Sequence, residues 1–176
     1  MNKYILVDPA ISLEKEADYT GIVVVGIDHF GCWYILDLVR NRYTPSQLIS
    51  QIFYLNEKWH PMDIGVEDVA FQKALQYSLH DEMRKRNEFL PIREVRPEAR
   101  SKDQRIKGLQ PLYANGIIYH NKELMYNEHI EDELLRFPRG RHDDLVDALS
   151  YAKDLVSIPK RKRTQRHRSV SYSPFV

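Results

Sequence analysis

The sequence predicts an α/β protein: a central mixed β-sheet, made of an antiparallel three-strand meander plus parallel strands, flanked by helices. Two observations predict this. Three β-rich runs, "KYILVD" (3–8), "TGIVVVGID" (20–28) and "CWYILDLVR" (32–40), follow one another with no helical pattern between them, as strands of a meander do. Beyond residue 44, short apolar runs alternate with helical patterns, the layout of parallel strands joined by helices. A length of 176 residues, 43% of them hydrophobic, suits one domain with its own core, expected to span 1–158.

In order along the chain, the first strand stops at Asp8-Pro9, because Pro cannot extend a ladder. "HFG" joins the second and third strands as a hairpin. "YTPSQLISQIFYLNEKWH" opens with Thr44 as N-cap, Pro45 at the first helical position and Gln47 closing a capping box. "DIGVEDV" reads as a strand, "FQKALQYSLHDEMRKRN" as a helix and "LPIREVRP" as a strand closed by Pro97. "SKDQRIKGLQPLYANG" has Ser101 and Gln104 as a second capping box and Gly116 as its stop, and Pro111 is expected to kink or split it. "IIYH" is a short strand, and "NEHIEDELLRF" and "DDLVDALSYAKDLV" are the last helices.

Composition narrows the function. The one cysteine, Cys32, excludes a disulfide framework and a Cys-rich metal site. No apolar run is long enough to span a membrane, and "MNKYILVDP" is too short and too soon polar for a signal peptide, so a soluble, cytoplasmic protein is expected. The net charge of +1 is uneven. "PKRKRTQRHR" (159–168) holds six Lys or Arg, and no acid follows Pro159. A body at −5 therefore carries a tail at +6 over 159–176. Without apolar periodicity that tail reads as disordered, either a solubilising end or an arm for a polyanion.

Carboxylates mark the candidate site. Asp8 ends the first strand and Glu67 the fourth. If those strands are parallel neighbours, both side chains emerge at the carboxyl edge, where open α/β sheets hold ligands. Asp143, Asp144 and Asp147 crowd the first turn of the last helix, just after Arg139, Arg141 and His142. One acid there is a cap favoured by the helix dipole; three exceed what capping needs. Acids clustered in space repel, and a divalent cation resolves the repulsion. Mg²⁺ and Mn²⁺ both accept carboxylate oxygens, and two such ions a few Å apart serve in-line phosphodiester attack. Each residue also has a plainer role. Asp8 before Pro9 fits a strand-ending Asx turn, and His142 fits an ordinary loop histidine. One helix aspartate, Asp143 first, fits a cap or an outward charge. Glu67 is the hardest to explain plainly, since a carboxylate in an apolar run is costly to bury alone.

"VDPAIS…KEADYTGIVVVG", "GVEDVAFQ", "SKDQRIKGLQPLYANGIIYH" and "FPRGRHDDLVDALSYA", in that order, resemble the C-terminal nuclease domain of the large terminase subunit of tailed bacteriophages, over residues 1 to about 157. The resemblance implies an RNase H-like fold and a metal-dependent endonuclease that cuts concatemeric viral DNA during packaging in the host cytoplasm. It implies Asp8, Glu67 and Asp144 as catalytic, with Asp8, Glu67, Asp143, Asp144 and Asp147 as metal ligands and Asp18 in support; His142, by its position beside these acids, is a supporting metal or proton partner. Its partners would be double-stranded DNA and, in the packaging machine, an ATPase domain, a portal and a small terminase. The sequence has no GxxxxGK[ST] phosphate loop, so ATP-driven translocation is not expected of this chain.

DNA contacts are expected from the basic stretch 84–107, nine Lys or Arg against four acids. Arg100, Lys102 and Arg105 surround a helix start there and suit phosphate, though a solvated charged face accounts for them equally. Arg139 and Arg141 are placed to hold the scissile strand. No side chain stands out as a reader of base edges, so binding through phosphates is expected. Two other readings compete with the terminase nuclease: a related enzyme acting on branched DNA or an RNA–DNA hybrid, and a non-catalytic DNA-binding or assembly module.

Overall fold

The two faces of the sheet explain why its central strands are apolar at nearly every position. In the computed structural model, which describes residues 1–10, 19–67, 73–95 and 101–159, Ile5, Val7, Ile22 and Val24 pack on one side with Leu48, Ile52 and Phe53. Tyr4, Leu6, Val23 and Val25 pack on the other with Ile130, Leu145 and Leu149. Strand residues alternate between faces, so a sheet covered on both needs continuous apolar runs.

The strands are β1 (Asn2–Asp8), β2 (Thr20–Ile27), β3 (Trp33–Asn41), β4 (Asp63–Glu67), β5 (Ile92–Val95) and β6 (Ile118–Tyr119). They form one sheet in the order β5-β4-β1-β2-β3-β6. As the sequence predicts, β1, β2 and β3 are an antiparallel meander, and the later strands are parallel to their neighbours, β4 to β1, β5 to β4 and β6 to β3. The expected hairpin closes with Gly31 at φ +85° and the Asp28 carboxylate accepting the N–H groups of Phe30 and Cys32.

Helices α1 (Pro45–Trp59) and α2 (Lys73–Arg86) cover the first face. On the second lie α3 (Lys102–Lys107), α4 (Gln110–Ala114), α5 (Asn127–Arg136), α6 (Asp144–Ser150) and α7 (Ala152–Leu155). Both capping boxes form, Thr44 with Gln47 and Ser101 with Gln104. The segment containing Pro111 splits as expected: α3 ends at Lys107 with Gly108 as its C-cap, and Pro111 takes the second position of α4, in the first turn, where its missing N–H costs nothing. The last helix departs from expectation. It breaks at Tyr151, whose N–H reaches back only three residues, to Ala148, so one expected helix is two. Among the described residues no helix is long and apolar enough to cross a membrane.

Candidate active site

Strand pairing places the first two acids. β1 and β4 are parallel and in register at Val7 and Val66, so Asp8 and Glu67 follow side by side at the carboxyl edge. Two-residue alternation points both toward the α6 face, with Leu6 and Gly65 before them. On the other flank of β1, Asp8 pairs with Gly21 of β2. A Cβ at Gly21 would collide with the main-chain carbonyl of Asp144. The missing side chain lets α6 rest its first turn directly on the sheet, beside Asp8.

The three aspartates of that turn point to two different places. Asp147 is buried. Its Oδ1 accepts from Arg105 Nη2 at 2.8 Å, its main-chain carbonyl accepts from the Ser150 hydroxyl at 2.6 Å, and its Oδ2 lies 3.3 Å from Lys102 Nζ. Asp143 Oδ1 takes the same Lys102 ammonium at 2.7 Å. Asp144 faces the other way, with Oδ2 3.2 Å from Arg40 Nε and 4.0 Å from His142 Nδ1. Arg105 also approaches Glu67, at 3.8 Å. The Tyr151 hydroxyl donates to Asp8 Oδ1 at 3.3 Å, which gives the break between α6 and α7 a function at the site.

The acids exceed their cations. Burial, then the charges of Asp147 and Glu67, push the Asp8 carboxyl up to about 8, with Lys102 pulling the other way and Asp144 adding least. Burial and the neighbouring Asp8 likewise push the Tyr151 hydroxyl far up. Burial acts against charge on Lys102, yet the hydrogen bond from its ammonium to Asp143 and the charge of Asp147 hold it above its usual range. Among the described residues no three His, Cys, Asp or Glu side chains are grouped to hold an ion; cationic side chains bridge the carboxylates instead. The donor chemistry fits a hard divalent cation: carboxylate oxygens only, negative in excess, at the ligand-binding edge of the sheet.

A sequence model of the terminase RNaseH-like domain matches residues 5–154. The chain belongs to that family. No curated protein matches the sequence. In structure, this terminase domain is similar to the large terminase nuclease from the thermophilic phage G20c, with TM-score 0.63 and 19% identity over 89% of this chain and 83% of that one. It is also similar to the yeast mitochondrial Holliday junction resolvase Ydc2, with TM-score 0.55 and 16% identity over 86% of this chain and 77% of that one. The fold is RNase H-like.

Against the expected sites, the terminase domain brings Asp8, Glu67, Asp143 and Asp147 to one cluster with Lys102 and Arg105. The Asp144 carboxylate meets Arg40 of β3, whereas Asp147, one turn on, meets Arg105 of α3. Arg105 does not offer itself to phosphate at the surface: its side chain is 8% exposed, locked on Asp147 and Glu67. Lys102 is 44% exposed but engaged with the acids. Arg139 and Arg141 are exposed, and Arg141 lines a cleft of about 420 Å³ with Arg40 and His142. The His142 ring meets Tyr19 edge-on at 5.5 Å. Asp18 and Arg100 lie outside the described residues.

Sequence reasoning missed Glu133. Asp143, at the N-cap position of α6, makes no capping hydrogen bond. Glu133 of α5 caps α6 instead: its Oε2 accepts the N–H groups of Leu145 at 2.9 Å and Val146 at 3.0 Å. Arg40 Nε lies 3.7 Å from the other oxygen, tying Glu133 to Asp144. The available signal was an acid within the apolar stripe Ile130, Leu134, Phe137 that runs along α5 to its C-cap. Glu133→Ala leaves two buried donors without an acceptor and is expected to cost about 1–3 kcal/mol. Thermal unfolding checks this, and a melting temperature equal to wild type would remove Glu133 from the positioning of α6.

Proposed function

We propose that this domain is a divalent-metal-dependent DNA endonuclease that cuts concatemeric viral DNA during genome packaging in the host cytoplasm. The observation that carries the reading is the meeting of Asp8, Glu67 and Asp147 at one sheet edge with negative charge in excess. Asp8, Glu67 and Asp147 would hold Mg²⁺ or Mn²⁺, two ions with Asp143 assisting. Asp144, expected as the third ligand, has its carboxylate on Arg40 as Asp147 has on Arg105, and it stands beside Asp147 in the same turn. The ions, when bound, supply Lewis-acid activation of water and charge stabilisation at the leaving 3′ oxygen. The protein's part is placement. The parallel pair β1 and β4 fixes Asp8 against Glu67, Gly21 sets the height of α6, and Arg105 fixes the Asp147 carboxylate. Tyr151 orients Asp8, and His142 stands by Asp144 at the cleft as a candidate proton carrier.

Arg139 and Arg141, beside the acidic turn, would hold the strand by its phosphates, a mode without sequence information. The basic tail, outside the described residues, adds non-specific affinity by counterion release. The other packaging components, an ATPase domain, a portal and a small terminase, would deliver the DNA.

The likeness to Ydc2 supports one second reading, cleavage of branched DNA. Nicking is compared on linear duplex, supercoiled plasmid, a four-way junction and an RNA–DNA hybrid, with Mn²⁺ and with Mg²⁺. The terminase reading expects duplex cutting without preference for the junction. Junction-only cutting reassigns the domain as a resolvase, and no cutting of any substrate with either metal leaves a binding module. In the same assays, truncation after Ile158 should flatten the log–log salt dependence of duplex binding by several units, at about 0.9 for each phosphate the tail no longer neutralises. An unchanged slope would assign DNA binding to the body alone.

A further inference from the structure

Lys102 and Arg105 both reach Asp147 from α3, yet they are held very differently. Arg105 is 8% exposed, its Nη2 2.8 Å from Asp147 Oδ1 and its guanidinium carbon 5.3 Å from the centre of the buried Tyr151 ring. Lys102 is 44% exposed, at the first position of α3, on a flexible four-carbon stem. The two oxygens of Asp147 are therefore divided. Oδ1 is taken by Arg105, with the Ser150 hydroxyl, which donates chiefly to the Asp147 main-chain carbonyl at 2.6 Å, next to it at 3.2 Å. Oδ2 faces only Lys102 among the described residues, and the same ammonium closes on Asp143 Oδ1.

The Asp147 oxygen more open to a divalent cation is therefore Oδ2, where the flexible Lys102 ammonium stands in place of the buried Arg105 fork. A magnesium-sized ion binds oxygen at about 2.0–2.1 Å. It cannot share that oxygen with an ammonium already 3.3 Å away and 2.7 Å from Asp143 without placing a +2 and a +1 charge in contact. One of them leaves, and Lys102 is the one free to do so.

We propose that Lys102 is a displaceable cation that occupies the Asp143–Asp147 side of the metal site and is expelled when a divalent ion binds there. The inference rests on the metal-dependent reading above. It assigns Lys102 two effects of opposite sign: it steadies the acids while metal is absent, and it weakens metal binding by competing for the same oxygens.

The test is titration of the full chain, stripped of metal and free of DNA, with MnCl₂ by calorimetry, with thermal melts run in EDTA and in saturating Mn²⁺. The proteins are wild type, Lys102→Met, Lys102→Gln and Lys102→Arg. The two neutral variants are expected to bind Mn²⁺ at least tenfold more tightly than wild type. They should melt lower than wild type in EDTA and match or exceed it in saturating Mn²⁺. Lys102→Arg, which keeps the charge, should bind Mn²⁺ no more tightly than wild type. Mn²⁺ binding by wild type with equal or weaker binding by both neutral variants overturns the proposal and leaves the metal-dependent reading standing. Absence of Mn²⁺ binding in all four proteins overturns both. Lys102→Gln keeps the test decisive if Lys102→Met does not fold.

Discussion

Asp8→Asn and Glu67→Gln are each expected to reduce metal-dependent nicking of plasmid DNA to background while leaving the protein folded. Both substitutions keep shape and remove charge from the group that would hold the ion. A bound ion contributes several kcal/mol of charge stabilisation to the transition state, so its loss is about 10³-fold in rate or more. The fold itself rests on the two apolar cores, which neither substitution touches. Asp8 is buried among Asp147 and Glu67, with its carboxyl pushed up to about 8 from an ordinary 3.8. Because the folded protein binds this proton more tightly than the unfolded chain, the stability it contributes is complete below about 3.8 and is lost as pH rises through about 8. Metal-free wild type should therefore lose stability between these values, and Asp8→Asn should lose less. Nicking assays and melts at pH 5 and pH 8 in EDTA check both statements. Wild-type-like cutting by either variant, in the presence of metal, would remove that residue from catalysis.

Arg105→Ala is expected to be the most destabilising single change at the site. It takes the cation from buried Asp147 and from Glu67 while both carboxylates stay in place. Removing one partner of a buried pair costs about 3–5 kcal/mol, because the other is left as an uncompensated charge. In a domain of this size that is roughly 10 °C in melting temperature. The loss should shrink at saturating Mn²⁺, since a divalent ion supplies part of the missing charge by mass action. A loss under about 1 kcal/mol in EDTA, on the scale of a surface pair, would show that Arg105 is not the internal counter-charge of the site.

What the sequence made legible was local, or followed from strand order. The capping boxes at Thr44 and Ser101 lie within four residues of themselves, and both formed. Asp8 and Glu67 were readable because a carboxylate ending a parallel strand emerges at a known edge. The partners that Asp143, Asp144 and Asp147 take were not readable. All three share one helical turn, and which of them faces the strands depends on how α6 is rotated on the sheet. That rotation is set by partners remote in the chain: Arg40 to Asp144 across 104 residues, and Arg105 to Asp147 across 42. The same distance hid Arg105, which reads in its own neighbourhood as one more basic residue on a charged surface.

Gly21 gives the site a mechanical datum. The acidic turn of α6 is seated on β2 main chain to main chain, with no side chain interposed where they touch. Side chains differ in length and swing between rotamers; peptide groups do not. The gap between the strand-borne acids and the helix-borne acid is thus referenced to the stiffest part of the molecule, much as a machinist locates a part against a hard stop instead of a spring. Exchanging Leu, Ile and Val in the two cores would then send little error to the reacting groups, whereas even one methyl group at position 21 would shim the stop itself.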